Sequence, residues 1–360
     1  MATIPTSGRC DDALQIGTTY SPRQSQYLSL DEQQTYLSIL ESGFDLIRLG
    51  TYWNAIETQP DVFDFSIIDW QLQEAKTNHI PVVLTVGMKA PRWPEYFIPD
   101  WVIKEAHLGF GTDVATQTFL RIRALRFIST VVRRYADEEI IRYWQVENEP
   151  LDRSGPRFWW ISDTFLRQEV ELVRRLDGHH RPIVLTAATF PNRLLRFLAR
   201  LLGPRAPIPR VLPLCDILGI NVYPIIGQRF LRLHLYFWSG AKRRADYFGG
   251  LRALIEAAGK TPWITELQAE PWEPGTLVYT AHPHPPSRTP EATQGSFQEF
   301  RSLGFKTIFL WGAEYWHYRM IRYQERRWWE MLKDRFGTSS RHPPGHPTQS
   351  APGETSEAIR

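Results

Sequence analysis

Eight short runs rich in β-branched and aromatic residues recur along this chain, and each is followed by a window of helical periodicity. That alternation restricts the fold more than any other feature. The runs are 14–19 (LQIGTT), 46–49 (LIRL), 82–86 (VVLTV), 141–146 (IRYWQV), 183–186 (IVLT), 217–222 (ILGINV), 263–266 (WITE) and 307–311 (TIFLW). Near-continuous apolar runs, in place of strict alternation, are expected of parallel strands buried on both faces. Helical windows fall at 31–42, 67–78, 117–136, 163–176, 191–202, 243–258, 291–303 and 321–334, with Ser29 and Asp31 as start signals for the first. Strand alternating with helix predicts a parallel sheet, and eight such units predict an α/β chain closed into a single (β/α)8 TIM barrel. An open doubly wound sheet is the alternative, but no GxGxxG or P-loop follows any of the runs. The barrel is expected over 14–336, after an N-terminal extension at 1–13. The Pro-, Ser-, Gly- and Thr-rich residues 337–360 are expected to be a disordered tail.

A net charge of +3 over 360 residues gives no electrostatic argument for a nucleic-acid partner. Two cysteines, Cys10 and Cys215, make neither a disulfide framework nor a metal cluster. The first residues show no basic region followed by an apolar one, so no signal peptide is read there and a cytoplasmic setting is expected. No apolar run reaches the length needed to span a bilayer. The 14 Trp and 14 Tyr are notable, because sugar sites are one use of such residues and core packing is the other.

In barrels of this kind the working residues sit at the C-terminal ends of the strands and in the loops beyond. Those positions hold Arg48, Tyr52 and Trp53 after the second run, and Lys89, Pro91 and Trp93 after the third. Asn148 and Glu149 follow the fourth run, Asn221 and Tyr223 the sixth, Glu266 the seventh, and Trp311, Glu314 and Trp316 the eighth. Two glutamates, Glu149 and Glu266, are thereby expected to face one pocket from different sides of the barrel. A pair of carboxylates is what glycosidic bond cleavage needs, one to protonate the leaving oxygen and one to attack the anomeric carbon or activate water. Arg48 and Tyr223 are placed to bind Glu266, and apolar walls to keep Glu149 protonated.

With these residues in place, the chain resembles glycoside hydrolase clan A, retaining enzymes with Asn-Glu ending the fourth strand and Glu ending the seventh. The stretch 44–96, with its Arg, Trp, Glu-x-x-Pro turn and Phe-Asp-Phe, and the run WQVENEP are similar to β-galactosidases of the family 42 type. The resemblance implies Glu149 as acid/base, Glu266 as nucleophile, Asn148 on the sugar 2-hydroxyl and Trp311 as sugar platform. Arg48, Trp53, Trp93, Asn221, Tyr223 and Trp316 complete the expected substrate contacts. No metal and no cofactor are implied. The expected function is hydrolysis of a β-glycosidic bond by double displacement. A transglycosylase with the same residues, or a catalytically silent glycan-binding or membrane-surface module, is the alternative.

Strict alternation puts Glu147 on the same face as Glu149 and turns Asn148 away. For Asn148 and Glu149 both to reach a sugar the strand end must bulge, and Glu147 is then expected to be structural. Glu270 and Glu314 are reserve nucleophiles, and Trp93, Trp272 and Trp316 are either substrate contacts or core and lid packing residues. His282 and His284, in a proline-rich loop without acidic or thiol partners, make a poor metal site. Three segments, 190–205, 225–244 and 314–332, combine apolar and aromatic residues with Arg and Lys and leave from the C-terminal face. Apolar segments bordered by Arg and Lys lie in membrane interfaces, which suggests peripheral membrane contact and a glycolipid or membrane-associated glycan as substrate; packing of these segments on each other as a lid, or an oligomer contact, is the alternative.

Overall fold

The computed structural model describes residues 13–189, 191, 192, 197, 207–230, 233–273 and 285–336. Ten strands are found among them: β1 (Gln15–Thr19), β2 (Leu46–Gly50), β3 (Val82–Val86), β4 (Ile141–Val146), β5 (Ile183–Ala188), β6 (Ile217–Val222), β7 (Ile225–Phe230), β8 (Leu233–Trp238), β9 (Thr261–Gln268) and β10 (Thr307–Trp311). Eight of them close into a parallel barrel in the order β1-β10-β9-β6-β5-β4-β3-β2, while β7 and β8 form a separate antiparallel hairpin. The (β/α)8 expectation is therefore met. The described helices are α1 (Pro22–Tyr27), α2 (Glu32–Leu40), α3 (Trp53–Ile56), α4 (Ser66–Thr77), α5 (Asp100–Ala106), α6 (Thr118–Arg134), α7 (Asp163–Leu176), α8 (Pro207–Val211), α9 (Ala241–Ala257), α10 (Pro290–Ser302), α11 (Ala313–Tyr323) and α12 (Arg327–Phe336). Asp31 caps α2, its carboxylate accepting the Gln34 N–H at 2.7 Å.

The barrel interior is layered. Near the N-terminal ends of the strands Leu46, Val83, Val184, Ile217, Trp263 and Phe309 form an apolar plug, with Tyr143 packed on it. Tyr143 meets Trp263 edge-on with ring centroids 4.7 Å apart, and Trp263 meets Phe309 at 5.7 Å. These rings fit because β1 contributes Gly17, where a Cβ would stand 2.6 Å from the Phe309 ring. Above the plug the inward positions turn polar, with Arg48, Gln145, Thr186, Asn221 and Thr265 all buried. The change from apolar to polar along each strand sets the site at the C-terminal end.

Two elements depart from the sequence expectation. Residues 225–244, read from the sequence as an apolar, aromatic and basic loop after the sixth strand, are the hairpin β7–β8 and the start of α9. The run 314–332 is two helices, α11 ending where Gln324 takes a left-handed conformation (φ 55°). Glu314, Tyr315, Trp316, His317, Tyr318 and Arg319 of α11 are buried, so the first part of this segment packs on the barrel, while Ile321 and Tyr323 near its end are exposed. Most of 190–205, the pair His282 and His284, and the segments 1–12 and 337–360 lie outside the described residues.

The Gly17→Ala variant is expected to lose about 1–3 kcal/mol of stability, the range for an added carbon in a packed core. Urea unfolding checks this.

Candidate active site

The polar layer is built on a buried cation. Arg48 is fully buried on β2, and its Nη2 pairs with Glu266 Oε1 at 2.7 Å. Its Nε donates to Thr19 Oγ1 at 2.8 Å and its Nη1 to Gln145 Oε1 at 3.3 Å, so the guanidinium is satisfied on three sides. Glu266 accepts a second bond on Oε2 from the Tyr223 hydroxyl. Burial, and then the neighbouring Glu266 charge, push the Tyr223 phenol well above its ordinary range, so it donates and does not ionise.

Alternation along β9 would point Thr265 inward and Glu266 outward, yet both face the interior. The β9–β10 register shifts between the Ile264–Ile308 and Leu267–Leu310 pairs, and the β6–β9 register shifts between Ile220 and Asn221. The extra residue re-aims the carboxylate. Thr265 Oγ1 then donates to Asn221 Oδ1 at 2.7 Å, and Asn221 Nδ2 donates to Glu149 Oε1 at 2.6 Å. A chain of side chains thus runs from the Glu266 strand to Glu149.

At the end of β4 the backbone turns twice into the left-handed region, with φ 58° at Glu147 and 46° at Glu149. Such conformations cost about 1–3 kcal/mol each and persist only where surroundings hold them. Here Lys89, fully buried, donates from Nζ to the carbonyls of Glu149 at 2.7 Å and Asp152 at 3.3 Å, and its ammonium lies 3.3 Å from Glu95. The Glu149 N–H is held by Thr186 Oγ1 at 2.8 Å. Glu147 turns into the wall and accepts the backbone N–H groups of Met88 and Lys89. Burial pushes its carboxyl up to about 7. This break in the strand brings Asn148 and Glu149 to one cavity.

Glu149 is raised well above the usual carboxylate range, first by burial, then by the charges of Glu266, Glu95 and Asp152, with Lys89 opposing. A cavity of about 240 Å³ is lined by Glu149, Glu266, Asn148, Asn221, Tyr223, Trp311, Trp93 and Trp272, among others. Arg48 does not line it but stands behind two residues that do, paired with Glu266 and 5.6 Å from the centroid of the Trp311 ring. Trp53 and Trp316 do not line it. Trp53 stacks on Phe127 at 5.4 Å and donates to Glu57, and Trp316 donates to the Ala269 carbonyl at 2.7 Å and stacks on Trp328. Both indoles are fully buried and packed as core residues outside the cavity. Arg92, Gln24 and Glu95 also line the cavity and were not singled out in the sequence; an Arg between two prolines carries no local signal of its partners. Glu270 and Glu314, the reserve nucleophiles, are both paired with Arg92. Among the described residues no group of three or more His, Cys, Asp or Glu can hold a metal ion.

The fold and this cavity define a (β/α)8 barrel with two buried, differently partnered glutamates at the strand ends. The glycoside hydrolase family 42 model, described as β-galactosidase, matches residues 19–160. β-Galactosidase BgaH of Haloferax lucentense is 26% identical over 144 residues, which are 37% of this chain and 21% of that protein. The aligned stretch is thus about a fifth of the length of the curated relatives it matches. The β-galactosidase of the psychrophilic Marinomonas ef1 superposes with a TM-score of 0.56 at 14% identity, covering 82% of this chain and 54% of that one. Xylanase 10B from Thermotoga maritima gives 0.52 at 13% identity, covering 83% of each chain. The chain is similar to family 42 glycoside hydrolases in sequence from the end of β1 through β4, and to clan A glycoside hydrolases in fold over 82–83% of its length.

Titration of Glu149 by carboxyl-carbon NMR should show the raised pKa directly. Glu266→Gln removes a neighbouring negative charge and is expected to lower that pKa, whereas Lys89→Met removes a positive one and is expected to raise it.

Proposed function

We propose that this chain is a retaining β-glycosidase in which Glu266 is the nucleophile and Glu149 the acid/base. The observation that carries this reading is the unequal treatment of two carboxyls on one cavity. Glu266 is held by Arg48 and Tyr223, while burial and like charges favour the protonated form of Glu149. A protonated Glu149 gives its proton to the glycosidic oxygen as the aglycone leaves. Glu266 attacks the anomeric carbon, and a glycosyl ester forms. Glu149, now a carboxylate, takes a proton from the incoming water, which cleaves the ester and restores both residues. Asn221 orients Glu149 throughout. The Asn148 Oδ1 is engaged by Gln145 at 3.4 Å and Thr186 at 3.3 Å, so its NH2 is the part left for a ligand hydroxyl, the role the resemblance implies. Trp93 and Trp272, 38% and 37% exposed at the cavity, supply faces for the aglycone.

We assign a β-linked neutral sugar as the reacting unit, β-galactosides being the first to try because the similar proteins carry that name. Aryl β-glycosides are the test. Glu266→Ala is expected to lose more than about 10⁴-fold in turnover, given that removal of a group acting as part of a unit abolishes most of the acceleration. The first-formed product, read by proton NMR, is expected to keep the β configuration. Inversion, or turnover that survives without Glu266, sinks the assignment.

The rim favours a substrate with an apolar aglycone, presented at a membrane surface. The hairpin β7–β8 is fastened to the cavity edge, its Gly227 N–H donating to the Trp272 carbonyl at 3.0 Å and its Tyr236 hydroxyl to Glu273. It presents Leu233, Leu235 and Trp238 at 62%, 41% and 66% exposure, with exposed Lys242 and Arg243 beside it. Apolar side chains bordered by cations suit an anionic bilayer surface. No helix of the described residues is long and apolar enough to cross a membrane. Sedimentation with phosphatidylglycerol liposomes at low salt is expected to carry the protein down, and Leu235→Asp with Trp238→Asp to leave it in solution. Absence of wild-type binding rejects the membrane reading and leaves the glycosidase reading standing.

A further inference from the structure

At the cavity wall away from Glu149's partners Thr186 and Asn221, Arg92 lies over Trp311, its guanidinium carbon 4.0 Å from the ring centroid. One guanidinium nitrogen pairs with Glu270 and the other, at 2.9 Å, with Glu314. The group lies over an indole and is bonded through two of its nitrogens, so it is fixed in place. Its backbone is held at φ 98°, a left-handed conformation that a non-glycine residue adopts only under constraint. Glu270 belongs to the same unit, with Gln24 Nε2 3.5 Å from its Oε2. Arg92, Glu270, Gln24 and Trp311 all line the cavity that holds Glu149 and Glu266.

Two consequences follow for a ligand. The Trp311 face beneath Arg92 is covered, so a sugar ring cannot stack there and must be read through hydrogen bonds to its hydroxyls. The cations around the cavity are also already matched: Arg48 by Glu266, Arg92 by Glu270 and Glu314, and Lys89 by Glu95. Glu95, Glu266 and Glu270 line the cavity, and Arg92 is the one described cation that does. A guanidinium beside a carboxylate offers donors and an acceptor side by side, which suits neighbouring hydroxyls. An anionic ring substituent would meet carboxylates with no unmatched cation, a repulsive element that discriminates as strongly as an attractive one.

We propose that Arg92 and Glu270 are specificity-determining residues that hold a neutral glycone by its hydroxyls and exclude an anionic one. This rests on the glycosidase reading and names the substrate class of the same site. The test is kcat/KM for nitrophenyl β-glucoside and β-galactoside against their 6-carboxylate counterparts, β-glucuronide and β-galacturonide. Wild type is expected to prefer the neutral member of a pair by about 100-fold or more, since like-charge juxtaposition is costly. Glu270→Gln keeps the shape but removes one charge and leaves Arg92 less matched. It is expected to narrow that preference by about tenfold or more, while weakening the neutral substrate chiefly through KM. Arg92→Lys, which cannot bridge both carboxylates, is the second variant and should raise KM for the neutral glycoside, with thermal melting confirming that each variant folds. A wild type that prefers the uronide overturns the proposal, as does a preference unchanged in Glu270→Gln or an unchanged KM in a folded Arg92→Lys. Lack of any Glu266-dependent turnover overturns the glycosidase reading and this inference with it, whereas such turnover with an unchanged preference overturns this inference alone.

Discussion

A guanidinium with no solvent exposure, Arg48, sits inside a parallel barrel, and the arrangement of the upper barrel follows from the need to satisfy it. A charge taken out of water costs several kcal/mol unless paired and hydrogen-bonded, and removing one partner of such a pair costs about 3–5 kcal/mol. Thr19, Gln145 and Glu266 meet that requirement from three different strands. Gln145 then donates to the Glu147 carbonyl at 3.0 Å, so the same network reaches the strand end that presents Asn148 and Glu149. The ion pair joins β2 to β9 across the barrel interior, and the geometry of the two glutamates is tied to it.

The site lies where regular strand geometry stops. A strand with strict alternation offers every second side chain to the interior, which would give Glu147 and Glu149 but not Asn148, and Thr265 but not Glu266. Left-handed turns at the end of β4 and a register shift in β9 supply the missing residues. Buried groups off the reaction path hold these irregularities. The Glu147 carboxyl fills the space over Gly87, where a Cβ would stand 2.3 Å from it. Glu169 of α7 is buried close enough that burial and the Glu147 charge push it well above the usual range, so the two carboxyls resist joint ionisation. Lys89 ties the loop after β3 to the backbone after β4. Rigidity around Glu149 therefore comes from polar groups that a composition count assigns to the surface.

Aromatic residues divide by layer. Trp53, Trp144, Trp316 and Trp328 are among the largest fully buried side chains, and they pack helices onto the barrel. Trp93 and Trp272 stand at the cavity mouth, and Trp311 lies under Arg92. Proximity in sequence to a strand end did not separate these roles. Trp53 follows the end of β2 more closely than Trp93 follows that of β3, yet the short helix α3 turns its indole toward Phe127 and Glu57.

The sequence by itself determined the eight barrel strands and the helical windows that fall on described residues, because burial on both faces of a parallel strand demands apolar runs and amphipathic helices demand the 3.6 period. It also determined Arg48, Asn148, Glu149, Asn221, Tyr223 and Glu266 as a set, because polar residues ending such runs are costly unless they face one another or a wet cavity. Only the tertiary structure decided that Arg92 pairs with Glu270 and Glu314, residues 178 and 222 positions away, and that Trp316 belongs to the core. It alone made 225–238 a hairpin. Local periodicity reports which face of an element is buried, but which side chains meet across the barrel depends on closure and on the bulges that redirect single residues, and neither leaves a local trace in the chain.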